Sequence, residues 1–397
     1  MKITAIKSFL VYPYHIRNPL GWGQRWLHQK YWLLLKVETD EGFTGWGEAY
    51  TQSVPREKSV AQHVTNIIPY LIGRNPFHIK HFTQIAYNDF AGRRGAMDFF
   101  CAVSGIEHAL WDIVGKSLDT PIYNLLGGPC RDRIRVYANG WYNGVNDPEE
   151  LAQRAVETVK MGFTALKFDP FLGPWRLFIS KKDERVAVRN VQAVREAVGP
   201  DIDILVEVHR RLAPMHAIRV ARMMEEFDPF WYEEPVPSEN LDALARVRQA
   251  IKLPVVTGET MYTKAAFREV LEKQAADILN PDVASCGGIL ELKEIAAMAE
   301  PYYVAICPHN YNSTTVGLAA TIQAVATIPN FIITEYFVNF TDMGNSISMP
   351  PFRLEEGYIK LPTTPGLGLE INEEALKKYP FREFPLPSFR SYEEEEQ

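Results

Sequence analysis

Glu207, Glu233 and Glu259 recur every 26 residues, each at the end of a short apolar run: DILVEVH, FWYEEP and PVVTGE. That interval is one strand plus one helix of an alternating β/α chain, so the three carboxylates belong on neighbouring strands at similar height. Three converging carboxylates cannot all stay ionised without a counter-charge. A hard divalent cation with oxygen ligands is the natural partner, with Mg2+ as the first expectation. Neutralisation by lysine or arginine is the alternative. Zinc is disfavoured, because neither a cysteine pair nor a histidine pair accompanies the acids.

Proton-handling residues flank these positions. His309 ends a run in CPHN, and Asp282 ends the preceding run in NPD. A carboxylate beside an imidazole fixes its tautomer and raises its basicity. Glu207 and His209 are two residues apart in a strand pattern and therefore point the same way. Two histidines on opposite sides of a bound substrate can divide acid and base roles. Lys167, in ALKFDP, ends the second strand, where its ammonium can stabilise a developing oxyanion. Asp169, two residues on, is a candidate acceptor for a substrate hydroxyl. Glu335 lies in FIITEYF, on the eighth strand. Glu234, adjacent to Glu233, is expected to face the other way, in a salt bridge outside the strands. The remaining histidines (His15, His28, His63, His78, His81, His108 and His216) are expected to be structural or solvated.

These positions need a scaffold. From Arg133 onward, eight apolar runs alternate with amphipathic helical patterns: 135–141, 165–170, 203–209, 230–235, 254–259, 277–282, 304–310 and 331–337. The pattern predicts a (β/α) barrel, whose reactive groups gather at the C-terminal ends of the strands. An open doubly wound sheet is the alternative, weaker because no glycine-rich phosphate loop follows the first run. Upstream, KITAIKSFLVYPY and YWLLLKVETDEGFTGWGEAY read as antiparallel strands with a turn at Asp40-Glu41-Gly42. Residues 56–125 have helical periodicity, with one helix ending near Leu118, before Thr120-Pro121.

Composition narrows the partners. The 397 residues carry a net charge of -7 with no basic block, which argues against nucleic acid. No run of 18 apolar residues exists and the N-terminus lacks an apolar signal core, so no membrane span is expected. Cys101, Cys130, Cys286 and Cys307 show neither CxxC nor zinc spacing, which suggests reduced thiols in a cytoplasmic protein.

VETDEGFTGWGEAY, PIYNLLGG, EEP, GET, NPDVASCGG, CPHN and TPGLGLEI together resemble the enolase superfamily, within it the mandelate racemase-like branch. VHRRLAPM on the third barrel strand is similar to the acid-sugar dehydratases of the D-galactonate dehydratase type. The resemblance implies an α+β capping domain over 1–125, a (β/α)7β barrel over 126–360 and a segment, 361–397, that returns to the capping domain. It implies a small sugar-acid substrate, an aldonate or aldarate, and a homo-oligomer, dimer or octamer. It implies Mg2+ on Glu207, Glu233 and Glu259, His309 with Asp282 as the base for the α-proton, and His209 as the acid for the departing 3-hydroxyl. Glu335 would hydrogen-bond the substrate carboxylate. Other reactions built on the same metal platform are epimerisation, racemisation and cycloisomerisation; a metal-binding homologue without turnover is a third possibility.

Three positions depart from the pattern. Glu207 stands where the branch usually has Asp. Lys167-x-Asp169 stands where many relatives have Lys-x-Lys, which argues against a two-base racemisation. Thr260 replaces the arginine usual after the third ligand. Specificity is expected from capping-domain loops that close over the barrel mouth. The candidates are Gln24 and Arg25 in WGQRW, and Tyr50, Thr51 and Gln52 in EAYTQS, with Arg93 and Arg94 in AGRRGAM for the distal end of the substrate.

Overall fold

The computed structural model describes residues 1–12, 31–51, 56–145, 147–173, 175–311, 313, 315–383 and 392. The chain opens with an antiparallel sheet of β1 (Ile3–Val11), β2 (Trp32–Thr39) and β3 (Thr44–Ala49), in that spatial order. The turn between β2 and β3 forms where the sequence places it, with Gly42 at φ 84°. Strand β2 is apolar almost throughout because both faces are covered. Leu33, Leu35 and Val37 enter a core shared with α1 (Arg56–Leu71), α2 (Ile79–Asn88) and α3 (Met97–Ser117). Trp32 and Leu34, on the alternate face, join the core that surrounds the barrel. Strand β3 lies directly on α3, since a Cβ at Gly47 would collide with the Gly105 carbonyl oxygen.

Eight parallel strands follow: β4 (Arg133–Asn139), β5 (Ala165–Phe168), β6 (Asp203–Glu207), β7 (Trp231–Glu233), β8 (Val255–Thr257), β9 (Ile278–Leu279), β10 (Ala305–Ile306) and β11 (Thr334–Phe337). Each pairs with the next from β4 to β10, and β11 pairs with β4. Ile332 N donates to Ile306 O at 3.0 Å, which joins the chain entering β11 to β10 and closes the ring. Closure rules out the open sheet. Between successive strands lie α4 (Pro148–Lys160), α5 (Lys181–Val198), α6 (Pro214–Met224), α7 (Leu241–Ala250), α8 (Thr263–Glu272), α9 (Ile289–Ala299) and α10 (Val316–Val325), making a (β/α)7β barrel. The strands are shorter than the apolar runs, and Asp169, His209, Glu259, Asp282 and His309 lie just beyond their ends.

The barrel interior explains the position of the polar residues. Tyr137, Ala165, Leu205, Trp231, Val256, Ile278, Cys307 and Ile333, one from each strand or its flank, fill the middle. Side chains alternate along a strand, so the residue two places on faces inward again, nearer the C-terminal mouth. Those residues are Asn139, Lys167, Glu207, Glu233, Gly258, Asn280, His309 and Glu335. Strand β8 is the exception. Gly258 has no side chain and adopts φ 136°, which lets Glu259 turn into the layer in its place.

Buried carboxylates dock the N-terminal sheet and α3 onto the barrel. Glu107 of α3 accepts from Ile289 N (2.8 Å) and Leu290 N (2.9 Å), at the start of α9. Glu48 of β3 accepts from Gly317 N (2.7 Å), at the start of α10. Both sit at helix N-termini, where negative charge is favoured, although burial pushes each carboxyl up to about 7. Past the barrel the chain returns to the first sheet. Asp112 of α3 accepts from both Trp46 N (2.9 Å) and Leu367 N (2.8 Å), Lys36 pairs with Glu373 at 2.5 Å, and Tyr12 N donates to Tyr379 O at 3.1 Å. Among the described residues no helix is long and apolar enough to cross a membrane, and all four cysteines are free.

Candidate active site

The polar layer at the barrel mouth is organised around Lys167. Its Nζ lies 2.7 Å from Glu233 Oε1, 3.3 Å from Glu335 Oε1 and 3.5 Å from Glu207 Oε2. All four side chains are buried. Burial alone would strip the proton from Lys167, but Glu233 and Glu335 outweigh it and hold the ammonium charged. Glu207, Glu233 and Glu259 each offer a carboxylate oxygen, and these atoms lie within 4.8 Å of one another. Glu259 is ion-paired with Arg210 and stands 3.3 Å from His309 Nε2. Burial raises Glu259, but Arg210, His309 and Lys167 together hold it well below the usual carboxylate range. Burial and the Glu207 charge instead push Glu233 well up.

The donor set fits a divalent cation. Glu207 Oε2 and Glu233 Oε2 are buried and accept no hydrogen bond among the described residues. Four carboxylates, those of Glu207, Glu233, Glu259 and Glu335, face the two fixed cations Lys167 and Arg210. The neutralisation expected from lysine or arginine is therefore present, and His309 adds a third positive group against Glu259 and Glu335. The unpartnered donors are all oxygens, which suits a hard ion.

His309 and His209 flank the cluster, each tied through one ring nitrogen to a carboxylate. His309 Nδ1 is 2.7 Å from Asp282 Oδ2, and Asp282 Oδ1 accepts from Ala284 N at 2.8 Å. Nε2 of His309 then faces Glu259 and Glu335. Burial lowers this imidazole, but Glu335, Glu259 and Asp282 overcome it and push it up to about 9. The Tyr50 ring meets His309 edge-on, with centroids 5.9 Å apart. On the other flank His209 Nδ1 is 2.7 Å from Asp169 Oδ2, and His209 N donates to Glu207 Oε1 at 2.6 Å. Residue 209 is not in an extended strand conformation: φ is 54° at His209 and 58° at Arg210. Burial lowers His209, but Glu207 and Asp169 more than reverse it.

Residues 5–127 match the mandelate racemase / muconate lactonizing enzyme N-terminal domain, and residues 150–375 match the family described as enolase C-terminal domain-like. The chain belongs to the mandelate racemase-like branch of the enolase superfamily. The D-galactonate dehydratase of Variovorax paradoxus (strain S110) is 35% identical over 382 residues, 95% of this chain and 94% of that protein. The D-gluconate/D-galactonate dehydratase of Picrophilus torridus is 34% identical, covering 87% of this chain and 88% of its own. The D-xylonate dehydratase of Haloferax volcanii is 33% identical, covering 88% and 85%. Among crystal structures, a mandelate racemase/muconate lactonizing enzyme from Jannaschia sp. CCS1 superposes with a TM-score of 0.87 at 32% identity, covering 97% of this chain and 99% of that one.

Within this member of the mandelate racemase-like branch, Lys167, Glu207, His209, Glu233, Glu259, Asp282, His309 and Glu335 come together at one mouth, with Tyr50 against it. One expectation is corrected. Glu234 does not face outward. At φ 45° it leaves the strand geometry, and it is fully buried, accepting from Gly258 N (2.8 Å) and Thr257 Oγ1 (3.1 Å). Asp169, expected to take a substrate hydroxyl, has both oxygens engaged: Oδ1 accepts from Phe171 N at 2.9 Å, and Oδ2 meets His209 and Arg211. Glu335 is held ionised, because Lys167 and His309 outweigh burial. It accepts hydrogen bonds from Asn310 N and Asn139. Arg94 is exposed and its guanidinium stacks over Tyr87, 4.8 Å from the ring centroid. Gln24, Arg25 and Gln52 lie outside the described residues.

Five contributors were missed. Asn139 and Asn280 donate to Glu335 and Glu233, and the strand alternation after Tyr137 and Ile278 carried the signal for both. Arg210, Arg211 and Trp175 reach the site from loops, and no periodicity marks them.

Proposed function

We propose that the protein is a Mg2+-dependent dehydratase of a sugar acid, a hydro-lyase that converts an aldonate or aldarate to a 2-keto-3-deoxy acid. The observation that carries this is the pair of imidazoles on opposite flanks of one carboxylate cluster, each with Nδ1 2.7 Å from its own aspartate. Elimination needs a base at C2 and an acid at C3, on adjacent carbons, and two separately anchored imidazoles supply both. The dehydratase names carried by relatives at 33–35% identity support the same reaction class.

Glu207, Glu233 and Glu259 are the residues that would hold the metal. Bound there, Mg2+ supplies electrostatic stabilisation for the negative charge that grows as the α-proton leaves, worth several kcal/mol at such sites. The chain's own groups do the rest. Once its imidazole, pushed up to about 9 by Glu335, Glu259 and Asp282, has given up its proton, His309 takes the C2 proton on Nε2, and Asp282 holds the resulting imidazolium in place. Lys167 faces the same charge from the barrel axis. The C3–O bond breaks as the C2=C3 bond forms, and the departing hydroxide leaves as water with the proton of His209. The enol then tautomerises, C3 gaining a proton from solvent. General acid–base help of this kind is worth about 10²–10⁴ in rate.

Relatives of nearly equal identity are named for galactonate, gluconate and xylonate, so the sugar follows from residues around the mouth and not from overall similarity. Four free thiols suit a reducing compartment, the cytoplasm. Formation of a 2-oxo acid from a panel of aldonates and aldarates, followed as its semicarbazone, tests the proposal. Absence of product across the panel with Mg2+ bound would overturn it.

A further inference from the structure

The loops after β5 and β6 build a second device around His209. Asp169 Oδ2 meets His209 Nδ1 at 2.7 Å and is also ion-paired with Arg211. Arg211 is almost fully buried, its Nε donates to Val208 O at 2.9 Å, and its guanidinium lies over the rings of Phe171 (5.5 Å) and Trp175 (5.2 Å). Trp175 in turn stacks flat on the His209 imidazole, with centroids 5.3 Å apart and planes 16° from parallel, although its side chain is 56% exposed. One ring nitrogen is therefore tied, one ring face is covered, and the carboxylate that ties the nitrogen is itself pinned.

We propose that Asp169, Arg211 and Trp175 are positioning residues that aim His209 Nε2 at the leaving hydroxyl. This rests on His209 acting as the acid. An imidazole can spin about its χ2 bond and present either nitrogen or neither. Asp169 selects Nδ1 as the tied nitrogen and leaves Nε2 for the substrate. Arg211 stops Asp169 from swinging away with a substrate hydroxyl or the metal. Trp175 fixes the ring plane, and its exposed face closes the mouth on that side. Asp282 gives His309 a comparable tie, but no aromatic stack of this kind accompanies it among the described residues. The extra restraint falls on the group that must meet the 3-hydroxyl, one carbon beyond the C2 at which His309 acts.

The test uses Asp169→Ala, Asp169→Asn and Trp175→Ala in the full-length enzyme with Mg2+. Asp169→Ala should lower kcat for elimination by about 10²-fold or more, leave KM within about threefold, and retain α-proton exchange in D2O. Asp169→Asn keeps an oxygen that accepts from Nδ1 and a partner for buried Arg211, so it should recover to within about tenfold of wild type. Trp175→Ala should fall between them. Equal loss of exchange and elimination, or a raised KM with kcat unchanged, would overturn the proposal. If the wild type makes no 2-oxo acid, the dehydratase assignment fails instead. The device is then tested by the ring 15N resonances of His209, assigned by their loss in His209→Asn. A protonated Nδ1 in wild type and Asp169→Asn, lost in Asp169→Ala, supports it, and identical spectra contradict it.

Discussion

Lys167 Nζ sits 2.7 Å from Glu233 Oε1, inside the same carboxylate cluster that we assign to a metal. Neither group reaches solvent, since Lys167 is 2% exposed and Glu233 is fully buried. The pair is thus both a structural element and an electrostatic one. Lys167→Met removes the counter-charge from Glu233 and Glu335 together. Deleting one member of a buried pair costs about 3–5 kcal/mol, so the metal-free variant should unfold at a clearly lower temperature. Mg2+ should restore part of the loss. Unfolding curves with and without Mg2+ check this, and an unchanged midpoint would show that Lys167 is not the hub.

The three glutamates make a direct prediction about metal. Saturating Mg2+ should raise the melting temperature of the wild type, with about 2.7 kcal/mol of stabilisation expected at a hundredfold excess over Kd. Glu233→Gln should abolish that rise, because it replaces one of the two unpartnered carboxylate donors. Glu207→Asp should keep it, since the shorter acid is the residue usual in this branch. Calorimetric titration of each variant with Mg2+ measures both effects.

His209→Asn separates the two imidazoles. With His309 and Asp282 intact, exchange of the α-proton for deuterium should continue, while loss of water falls by about 10²–10⁴. Loss of both activities would mean that His209 does not act only on the leaving group.

Stability should carry a signature of His108, which takes no part in the proton transfers. This side chain is wholly buried in α3, and its Nε2 donates to Val283 O at 3.1 Å. Burial pulls its pKa down from 6.5 to about 4. Between those values the unfolded chain binds the proton more readily than the folded one, so stability falls as pH drops through that window. His108→Gln has no such proton to take up. The wild type should lose up to about 3 kcal/mol relative to this variant between pH 7 and pH 4. Denaturant midpoints at several pH values measure the difference.

Much of this was legible before any coordinates. The barrel could be read because each βα unit repeats the same alternation. The strand-end acids could be read because an inward-facing polar residue after an apolar one is costly to bury without a purpose. Glu234 was misjudged because alternation holds only while the backbone stays extended, and at φ 45° it does not. The reach of Arg210 to Glu259 spans 49 residues and depends on two successive left-handed residues, which the letters HRR do not announce. Asp169 could be read as a polar residue at the mouth, but not its contacts. Its partners His209 and Arg211 lie 40 and 42 residues on, and only strand register brings them together.

The most direct measurement is proton NMR in D2O with Mg2+, across a panel of aldonic and aldaric acids. A 2-keto-3-deoxy product carrying solvent deuterium at C3 is expected from at least one acid. Deuterium at C2 with no loss of water from any acid would contradict it and place the protein among epimerases of the same branch.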